Sequence, residues 1–316
     1  MAHDVLNIKQ GGKMNKELSK GDIISYSSGT TSTDYDSYRT IKSNFDPFVS
    51  FIKKQVDWWD QPQKTPILVN AYPATIINSK DTILVDSYLN QKTASRALAM
   101  AAAKERPVIL VAQSLFAADI IHYHLQTGQK FPQHMVLITG GYYMPFSLEK
   151  FIRECINRAE RKINVFHCYG LAEVEMGCLV ADSRDGHGNP RYYERDNLIE
   201  TKIENGILRI SLKNQPGDYV LKEYDTGDKA QIIDEHIILN RYDRICYEVL
   251  TILESWDWKE WSRRTGYIKK IGHLNYVFQV RSHGVSEYTG ELPYYQFSDL
   301  TGNTFLSKPD WLGKAW

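Results

Sequence analysis

The stretch Val108–Gly141, VILVAQSLFAADIIHYHLQTGQKFPQHMVLITGG, decides the fold class. An apolar run at 108–111 is followed by a helical pattern at 115–125, with Ser114 as its expected N-cap, and then by a second apolar run at 135–138. Continuous apolar runs of this length are typical of strands that are buried on both faces, and a helix between two such strands forms a parallel βαβ unit. The stretch therefore predicts an α/β fold with a largely parallel sheet.

The same alternation continues on both sides of this stretch. The other predicted elements are a helical pattern over 38–52 with a break or new start at Pro47, strands at 67–69 and 82–85, a helix over 91–104, a helix over 149–162 and a strand at 163–168. Parallel sheets built in this way bind ligands beyond the carboxyl ends of their strands. We therefore expect a functional site at the edge where these strands end.

A different pattern follows after about residue 180. Alternating segments at 198–203, 206–212 and 230–239 predict strands, the triplet 204–206 (Glu-Asn-Gly) is a hairpin signal, and a helix is predicted over 248–261. The chain is accordingly divided into a flexible leader at 1–20, an α/β core at 21–180, a β-rich subdomain at 181–246 and an atypical C-terminal region at 247–316.

Composition excludes several classes of protein. Lys and Arg together number 38, as do Asp and Glu, so no basic excess argues for a nucleic-acid partner. No apolar run approaches the roughly 20 residues of a membrane helix, and the first residues do not form a signal peptide. The four cysteines form no Cys-x-x-Cys pair, which argues against a zinc site or a disulfide framework. We expect a cytoplasmic protein with no nucleic-acid or membrane partner.

A hydroxyl-rich segment from Tyr26 to Thr33, YSSGTTST, follows a short strand predicted over 22–26. Its small side chains, its backbone N–H groups and Gly29 offer many donors and allow close approach, which an oligophosphate requires. The segment is not a Walker loop, because the Lys of that motif is absent. A solvated Ser/Thr loop is the alternative, and the segment alone leaves both interpretations open.

Five short motifs follow one another along the chain: Tyr26–Ser32, Gly140-Gly141, Tyr169-Gly170-Leu171-Ala172-Glu173, Tyr224–Asp228 and Arg241–Arg244. In this order they resemble the phosphate loop, the glycine pair, the Tyr-Gly-x-Thr-Glu motif, the Thr-Gly-Asp motif and the hinge of the adenylate-forming superfamily. That superfamily comprises acyl- and aryl-CoA ligases, non-ribosomal peptide adenylation domains and luciferases. The resemblance covers about residues 22–246.

This resemblance implies a fold and a reaction. The fold is the layered sheet-and-helix core of the adenylate-forming large domain, followed by a small β-rich subdomain, and the chain looks like a truncated member. The reaction is the ATP- and Mg²⁺-dependent activation of a carboxylic acid as an acyl-adenylate. Transfer to a thiol of a carrier protein or CoA, or to an amine, would follow.

The resemblance also implies a role for each site residue. The phosphate-loop residues that would hold the β- and γ-phosphates are Ser27, Ser28, Gly29, Thr30 and Thr31. The residues implied for the adenine, the ribose and the acyl pocket are Gly140, Gly141, Tyr169, Gly170 and Asp228, with His167 either at the adenine edge or packed at the strand end. Arg241 would be a second contact to the ribose or to a phosphate. Glu173 would bind Mg²⁺, and the residues expected to take part in catalysis are Glu173, Thr30 and Lys314.

Departures from the family pattern support a rival hypothesis. Ala172 stands where the family has Thr, Asn240 stands where the hinge has Gly, and the Lys and second Gly of the phosphate loop are absent. The mobile C-terminal domain with its catalytic Lys does not fit in the remaining length, which leaves Lys314, in Leu312-Gly313-Lys314, as the candidate. The alternative function is a non-catalytic partner protein that binds a nucleotide or an acyl-adenylate.

Overall fold

Two sheets organise the part of the chain that the structure describes. The structure is a computed structural model, and it describes residues 23–26, 38–41, 45–59, 65–72, 79–87, 90–140, 143–171, 174–214, 217–241, 247–262, 296–298 and 304–306. Its helices are α1 (Asp46–Gln55), α2 (Gln91–Ala103), α3 (Ser114–Gln126), α4 (Phe146–Asn157) and α5 (Tyr247–Glu254).

The first sheet has seven strands in the order β4-β3-β5-β6-β7-β8-β9. Their bounds are β3 (Ile67–Ala71), β4 (Ile83–Asp86), β5 (Val108–Ala112), β6 (His134–Gly140), β7 (Lys162–Leu171), β8 (Glu175–Ala181) and β9 (Tyr193–Glu194). The strands from β4 to β7 are parallel, and β8 and β9 add to the sheet in the antiparallel sense. This arrangement confirms the predicted α/β fold with a largely parallel sheet.

Both faces of this sheet are covered, which explains the continuous apolar runs. Leu110 and Leu137 face a cluster with α2, α3 and α4, whereas Ile109 and Val136 face a second cluster with α1. Successive side chains of a strand point to opposite faces, so every residue of such a strand must be apolar when both faces are buried. Burial of this apolar surface is the main source of stability for the core.

The second sheet is antiparallel, with the order β10-β11-β12-β13. Its strands are β10 (Ile199–Glu204), β11 (Ile207–Lys213), β12 (Tyr219–Ile233) and β13 (His236–Leu239). It meets the first sheet through a third apolar cluster, in which Cys178 and Leu179 of β8 lie with Leu208 and Ile210 of β11. The predicted change to a β-rich pattern is thus confirmed.

Two short hairpins complete the strands of the described chain. They are β1 (Ile23–Tyr26) with β2 (Tyr38–Ile41), and β14 (Gln296–Ser298) with β15 (Thr304–Leu306).

Several predicted boundaries were wrong. The helical pattern over 38–52 divides into strand β2 and helix α1, whose start carries Pro47. Gln113 is the N-cap of α3, and Ser114 is its first helical residue. Helix α4 ends at Asn157, before the predicted 162, because the chain turns through Glu160 with a φ of 57° and enters β7 at Lys162.

The β-rich part contains two further corrections. The segment predicted as one strand over 230–239 is the end of β12 and the whole of β13, joined by a turn in which Asp234 and Glu235 have positive φ. Strand β8 and the first part of β12 had no predicted counterpart. The helix predicted over 248–261 is α5 followed by a break at 255–257 and a helical turn at 258–262.

The C-terminal helical segment is fastened to the start of α4. The carboxylate of Glu254 accepts hydrogen bonds from the backbone N–H groups of Phe146 (2.8 Å) and Ser147 (2.9 Å). The hydroxyl of Ser147 donates to the carbonyl of Leu253 (2.6 Å). A carboxylate at this position satisfies N–H groups that lack partners within the helix and interacts favourably with the helix dipole. The start of α4, which follows the glycine pair, is therefore held in place.

Candidate functional site

Two of the family-like motifs meet at a buried hydrogen bond. The hydroxyl of Tyr169 donates to Oδ2 of Asp228 over 2.5 Å, although the two residues are 59 positions apart. Each residue is 6% exposed, and the edge of the Tyr169 ring lies against Tyr192, with 6.4 Å between ring centroids. The contact joins the end of β7 in the first sheet to β12 in the second.

The local sequence explains why Asp228 points inwards. Gly227 has a φ of +71°, a conformation that favours glycine, and its N–H donates to Oδ1 of Asp225 over 2.9 Å. Thr226 holds the backbone of Asp228 in place, because its Oγ1 donates to the carbonyl of Leu208 and accepts a hydrogen bond from the N–H of Asp228. The Thr-Gly-Asp motif is thus a local distortion of β12 that places one carboxylate in the interior.

Gly140 lies at the end of β6, beside the Tyr169 motif. In the sheet it is paired with Cys168, the residue before Tyr169. A Cβ at position 140 would lie 2.8 Å from the carbonyl oxygen of Cys168, so the close approach of the two strands requires glycine here. Gly170, next to Tyr169, is exposed. The structure therefore brings Gly140, Tyr169, Gly170 and Asp228 to one edge of the first sheet.

Arg241 is connected to the loop that follows the glycine pair. Its Nη1 donates to the carbonyl of His187 (3.3 Å), and it hydrogen-bonds to the hydroxyl of Tyr143. That hydroxyl donates in turn to the carbonyl of Gly188 (3.3 Å). Burial raises the pKa of Tyr143, against the positive charges of Arg184 and Arg241, so the phenol stays protonated and can donate.

His167 belongs to a buried ionic cluster with Glu149, Arg153 and Arg184. Oε2 of Glu149 lies 2.8 Å from Nε2 of His167 and accepts from Nε of Arg184 over 2.6 Å, while Oε1 accepts from Nε of Arg153 over 2.8 Å. A carboxylate only accepts, so Nε2 of His167 carries the proton. Of the two interpretations of His167, packing at the strand end and contact with adenine, this geometry matches packing.

The protonation states of the cluster follow from its burial and its charges. Burial lowers the pKa of His167, and the charge of Arg184 acts in the same direction, against the hydrogen bond with Glu149, so the imidazole is neutral. Burial alone would raise the pKa of Glu149, but the hydrogen bond from His167 and the charges of Arg184 and Arg153 outweigh it and hold the pKa well below its usual range. The cluster thus contains one carboxylate and two guanidinium groups.

The stability of the protein is expected to fall on mild acidification because of His167. A group whose pKa is lower in the folded state contributes stability that is complete above its unfolded-state pKa, near 6.5 for His, and is lost as the pH falls. We expect the free energy of unfolding in urea to be lower at pH 5.5 than at pH 7.5, with a smaller loss in His167→Gln. Since His124 also has a lowered pKa and is present in both proteins, the difference between the two losses is the test. Equal losses would show that His167 is not buried as a neutral group.

Several predicted site residues lie outside the described part of the chain. They are Ser27, Ser28, Gly29, Thr30, Thr31, Gly141, Glu173 and Lys314. Their roles stay predictions. Within the described ranges, no group of three or more His, Cys, Asp or Glu side chains is placed to hold a metal ion. The described helices include none that is long and apolar enough to cross a membrane.

Glu149 and Arg184 were not identified from the sequence. Glu149 was assigned only to the start of a helix, and Arg184 lies in a polar turn region where charged residues are ordinarily exposed. The two residues are 35 positions apart, and no spacing in the sequence reveals that they pair. Burial of Arg184, whose side chain is 5% exposed, is visible only in the structure.

Comparison with known proteins gives matches among solved structures only. No model of a known protein family matches the chain. The search of curated proteins likewise finds no match.

The solved structures that match include a CoA ligase, an AMP-forming ligase-like protein and an amide bond synthetase. A 2-hydroxyisobutyryl-CoA ligase in complex with 2-HIB-AMP and CoA aligns with 69% of this chain and 51% of its own, at 11% identity and a TM-score of 0.46. An acyl-CoA synthetase (AMP-forming)/AMP-acid ligase II-like protein from Dyadobacter fermentans aligns with 90% and 73%, at 12% identity and a TM-score of 0.45. The amide bond synthetase McbA from Marinactinospora thermotolerans aligns with 71% and 50%, at 11% identity and a TM-score of 0.43.

The chain spans about half the length of the 2-hydroxyisobutyryl-CoA ligase and of the amide bond synthetase. With TM-scores below 0.5, the alignments assign neither an activity nor a ligand to this chain.

Proposed function

We propose that the protein activates a carboxylic acid with ATP and Mg²⁺ as an acyl-adenylate and passes the acyl group to a thiol or an amine. The observation that carries this proposal is the contact between Tyr169 and Asp228. It joins the two motifs that the resemblance assigns to the adenine and the ribose, at the edge of the sheet where ligands are expected. Gly140 is paired with Cys168, the residue before Tyr169, and the N–H of Asn240, the residue before Arg241, donates to the carbonyl of Lys229, the residue after Asp228.

The first step of the proposed reaction needs charge compensation more than proton transfer. A carboxylate oxygen of the acid attacks the α-phosphorus of ATP, and the bond from that phosphorus to the bridging oxygen breaks as pyrophosphate leaves. The acid is already a nucleophile, but it approaches a polyanion, so the protein must hold the groups in line and offset their charge. The guanidinium of Arg241, which donates a hydrogen bond to the carbonyl of His187, would supply positive charge to offset that of the phosphates.

The remaining site residues would bind the nucleotide and its metal ion. Asp228 would accept hydrogen bonds from the ribose hydroxyls, and Tyr169 would hold that carboxylate in position and contact the adenine. Glu173 would be a ligand of Mg²⁺, which would offset the negative charge of the phosphates. Ser27, Ser28, Gly29, Thr30 and Thr31 would bind the outer phosphates, and Lys314 is the candidate for the missing catalytic Lys.

Exchange of labelled pyrophosphate into ATP tests this function. We expect exchange that depends on Mg²⁺ and on one class of carboxylic acid within a panel of aliphatic, aromatic, hydroxy and amino acids. Asp228→Asn should lose the exchange, whereas Asp218→Asn, on an exposed loop residue before β12, should keep it. Binding of ATP without exchange for any acid would favour the alternative of a non-catalytic partner protein, and the absence of both would refute the proposed site.

A further inference from the structure

Arg241 is held by two acceptors that lie in connections of the first sheet. Its Nη1 donates to the carbonyl of His187, in the loop between β8 and β9, and its guanidinium also hydrogen-bonds to the hydroxyl of Tyr143, just before α4. The backbone of Arg241 follows the second sheet, because the N–H of its neighbour Asn240 donates to the carbonyl of Lys229 in β12. Arg241 therefore links the two sheets.

The hydrogen bonds at the Tyr143 hydroxyl have a fixed direction. A guanidinium has only N–H donors, so the phenol oxygen accepts from Arg241. The single O–H of the phenol donates to the carbonyl of Gly188 over 3.3 Å. The ring of Tyr143 is 9% exposed and packs in the apolar cluster with α2, α3 and α4, so the core sets the position of the hydroxyl.

The loop that supplies the two carbonyls is itself held in shape. Oδ1 of Asp185 accepts from the backbone N–H groups of His187 and Asn189, each over 2.8 Å, and Nδ2 of Asn189 donates to Oδ2 of Asp185. Arg184, whose side chain is 5% exposed, donates from Nη1 to the carbonyl of Gly188 over 2.6 Å. The two carbonyls are therefore held where the guanidinium and the phenol reach them.

We propose that Tyr143 is a positioning residue for the nucleotide, because its hydroxyl holds the guanidinium of Arg241 where that group meets the ribose or a phosphate of ATP. The inference rests on the proposed function, in which Arg241 contacts the nucleotide. A long side chain that is ordered in advance loses less rotamer freedom when it binds a ligand, and binding is tighter by that difference. Tyr143 acts through Arg241 and needs no contact with ATP.

Isothermal titration with Mg²⁺·ATP tests the role of the hydroxyl. Tyr143→Phe removes the oxygen but leaves the ring in the apolar cluster, and the carbonyl of Gly188 keeps its hydrogen bond from Arg184. We therefore expect a folded protein whose Kd is raised about three- to tenfold, which corresponds to the loss of one hydrogen bond. Tyr219→Phe is the matched control, because the Tyr219 hydroxyl donates to the exposed Glu200 over 2.7 Å, and this variant should keep the original Kd.

A double-variant comparison distinguishes positioning from a general structural effect. Arg241→Ala should raise the Kd at least about tenfold, since it removes a charged hydrogen-bond donor. The addition of Tyr143→Phe to Arg241→Ala should then change the Kd by less than about twofold, because the hydroxyl has no guanidinium left to hold. A general structural effect of Tyr143→Phe would instead raise the Kd by the same factor in both backgrounds.

The outcomes separate this inference from the proposed function. An original Kd in Tyr143→Phe, or a rise by the same factor with and without Arg241, would overturn the positioning role. An unchanged Kd in Arg241→Ala would overturn it as well. In each of these cases the proposed function stands as long as Asp228→Asn weakens binding. Failure of the original chain to bind Mg²⁺·ATP would refute the proposed function and the inference together.

Discussion

Replacement of Asp228 by Asn is expected to weaken binding of Mg²⁺·ATP by about 10- to 100-fold, since a hydrogen bond to a charged group contributes about 1.5–3 kcal/mol. The amide keeps an acceptor for the Tyr169 hydroxyl but loses the charge that would bind the ribose hydroxyls. The measurement is isothermal titration of the purified chain with Mg²⁺·ATP.

Two further variants show whether weaker ATP binding in Asp228→Asn is specific to this carboxylate. Asp218→Asn, on the exposed loop before β12, should bind ATP as the original chain does. Tyr169→Phe should weaken binding by less than Asp228→Asn does, because it removes the hydroxyl that holds the carboxylate but keeps the ring. An unchanged Kd in Asp228→Asn, in a protein with the original unfolding temperature, would contradict the assignment of Asp228 to the nucleotide.

Replacement of Glu149 by Gln is expected to lower the free energy of unfolding by about 3–5 kcal/mol, because it leaves a buried guanidinium without its counter-charge. The main source of this cost is Arg184, whose side chain is 5% exposed. Arg153, at 39%, is solvated and contributes less. Urea unfolding at pH 7.5 measures the loss.

A double variant measures the interaction between Arg184 and Glu149. Arg184→Met together with Glu149→Gln should lower the free energy of unfolding by less than the sum of the two single changes, because neither partner then remains as an isolated charge. Glu154→Gln on the same helix is the matched control. It breaks an exposed pair with Arg158 and should cost no more than about 0.5 kcal/mol. Additive losses would mean that the two buried groups do not act as a pair.

The α/β core could be predicted because its strands are buried on both faces. A strand such as Val108–Ala112 is apolar at every position, and this pattern follows directly from the clusters on its two sides. The strands of the second sheet are harder to recognise, because β12 is largely exposed and carries charged residues along much of its length. Its tight turn at Asp234-Glu235 contains neither Gly nor Asn, so the usual hairpin signal is missing.

Part of the candidate site could be predicted from the order of the motifs along the chain. The order of the motifs suggested that Tyr169 and Asp228 belong to one site, and the structure places their side chains in contact. Pairs such as Glu149 and Arg184 depend on how a loop folds back over a helix, and neither composition nor periodicity records that event. The pairing of Glu149 with Arg184 is therefore visible only in the structure.

Photolabelling with 8-azido-ATP tests the central claim most directly, because the reactive group is attached to the adenine. The adenine is proposed to lie at Tyr169, and this residue falls within the tryptic peptide at 163–184. We predict that mass spectrometry finds the label on this peptide, that excess ATP prevents the labelling, and that Asp228→Asn reduces it. Labelling that is confined to other peptides, or that ATP does not prevent, would contradict a nucleotide site formed by Tyr169 and Asp228.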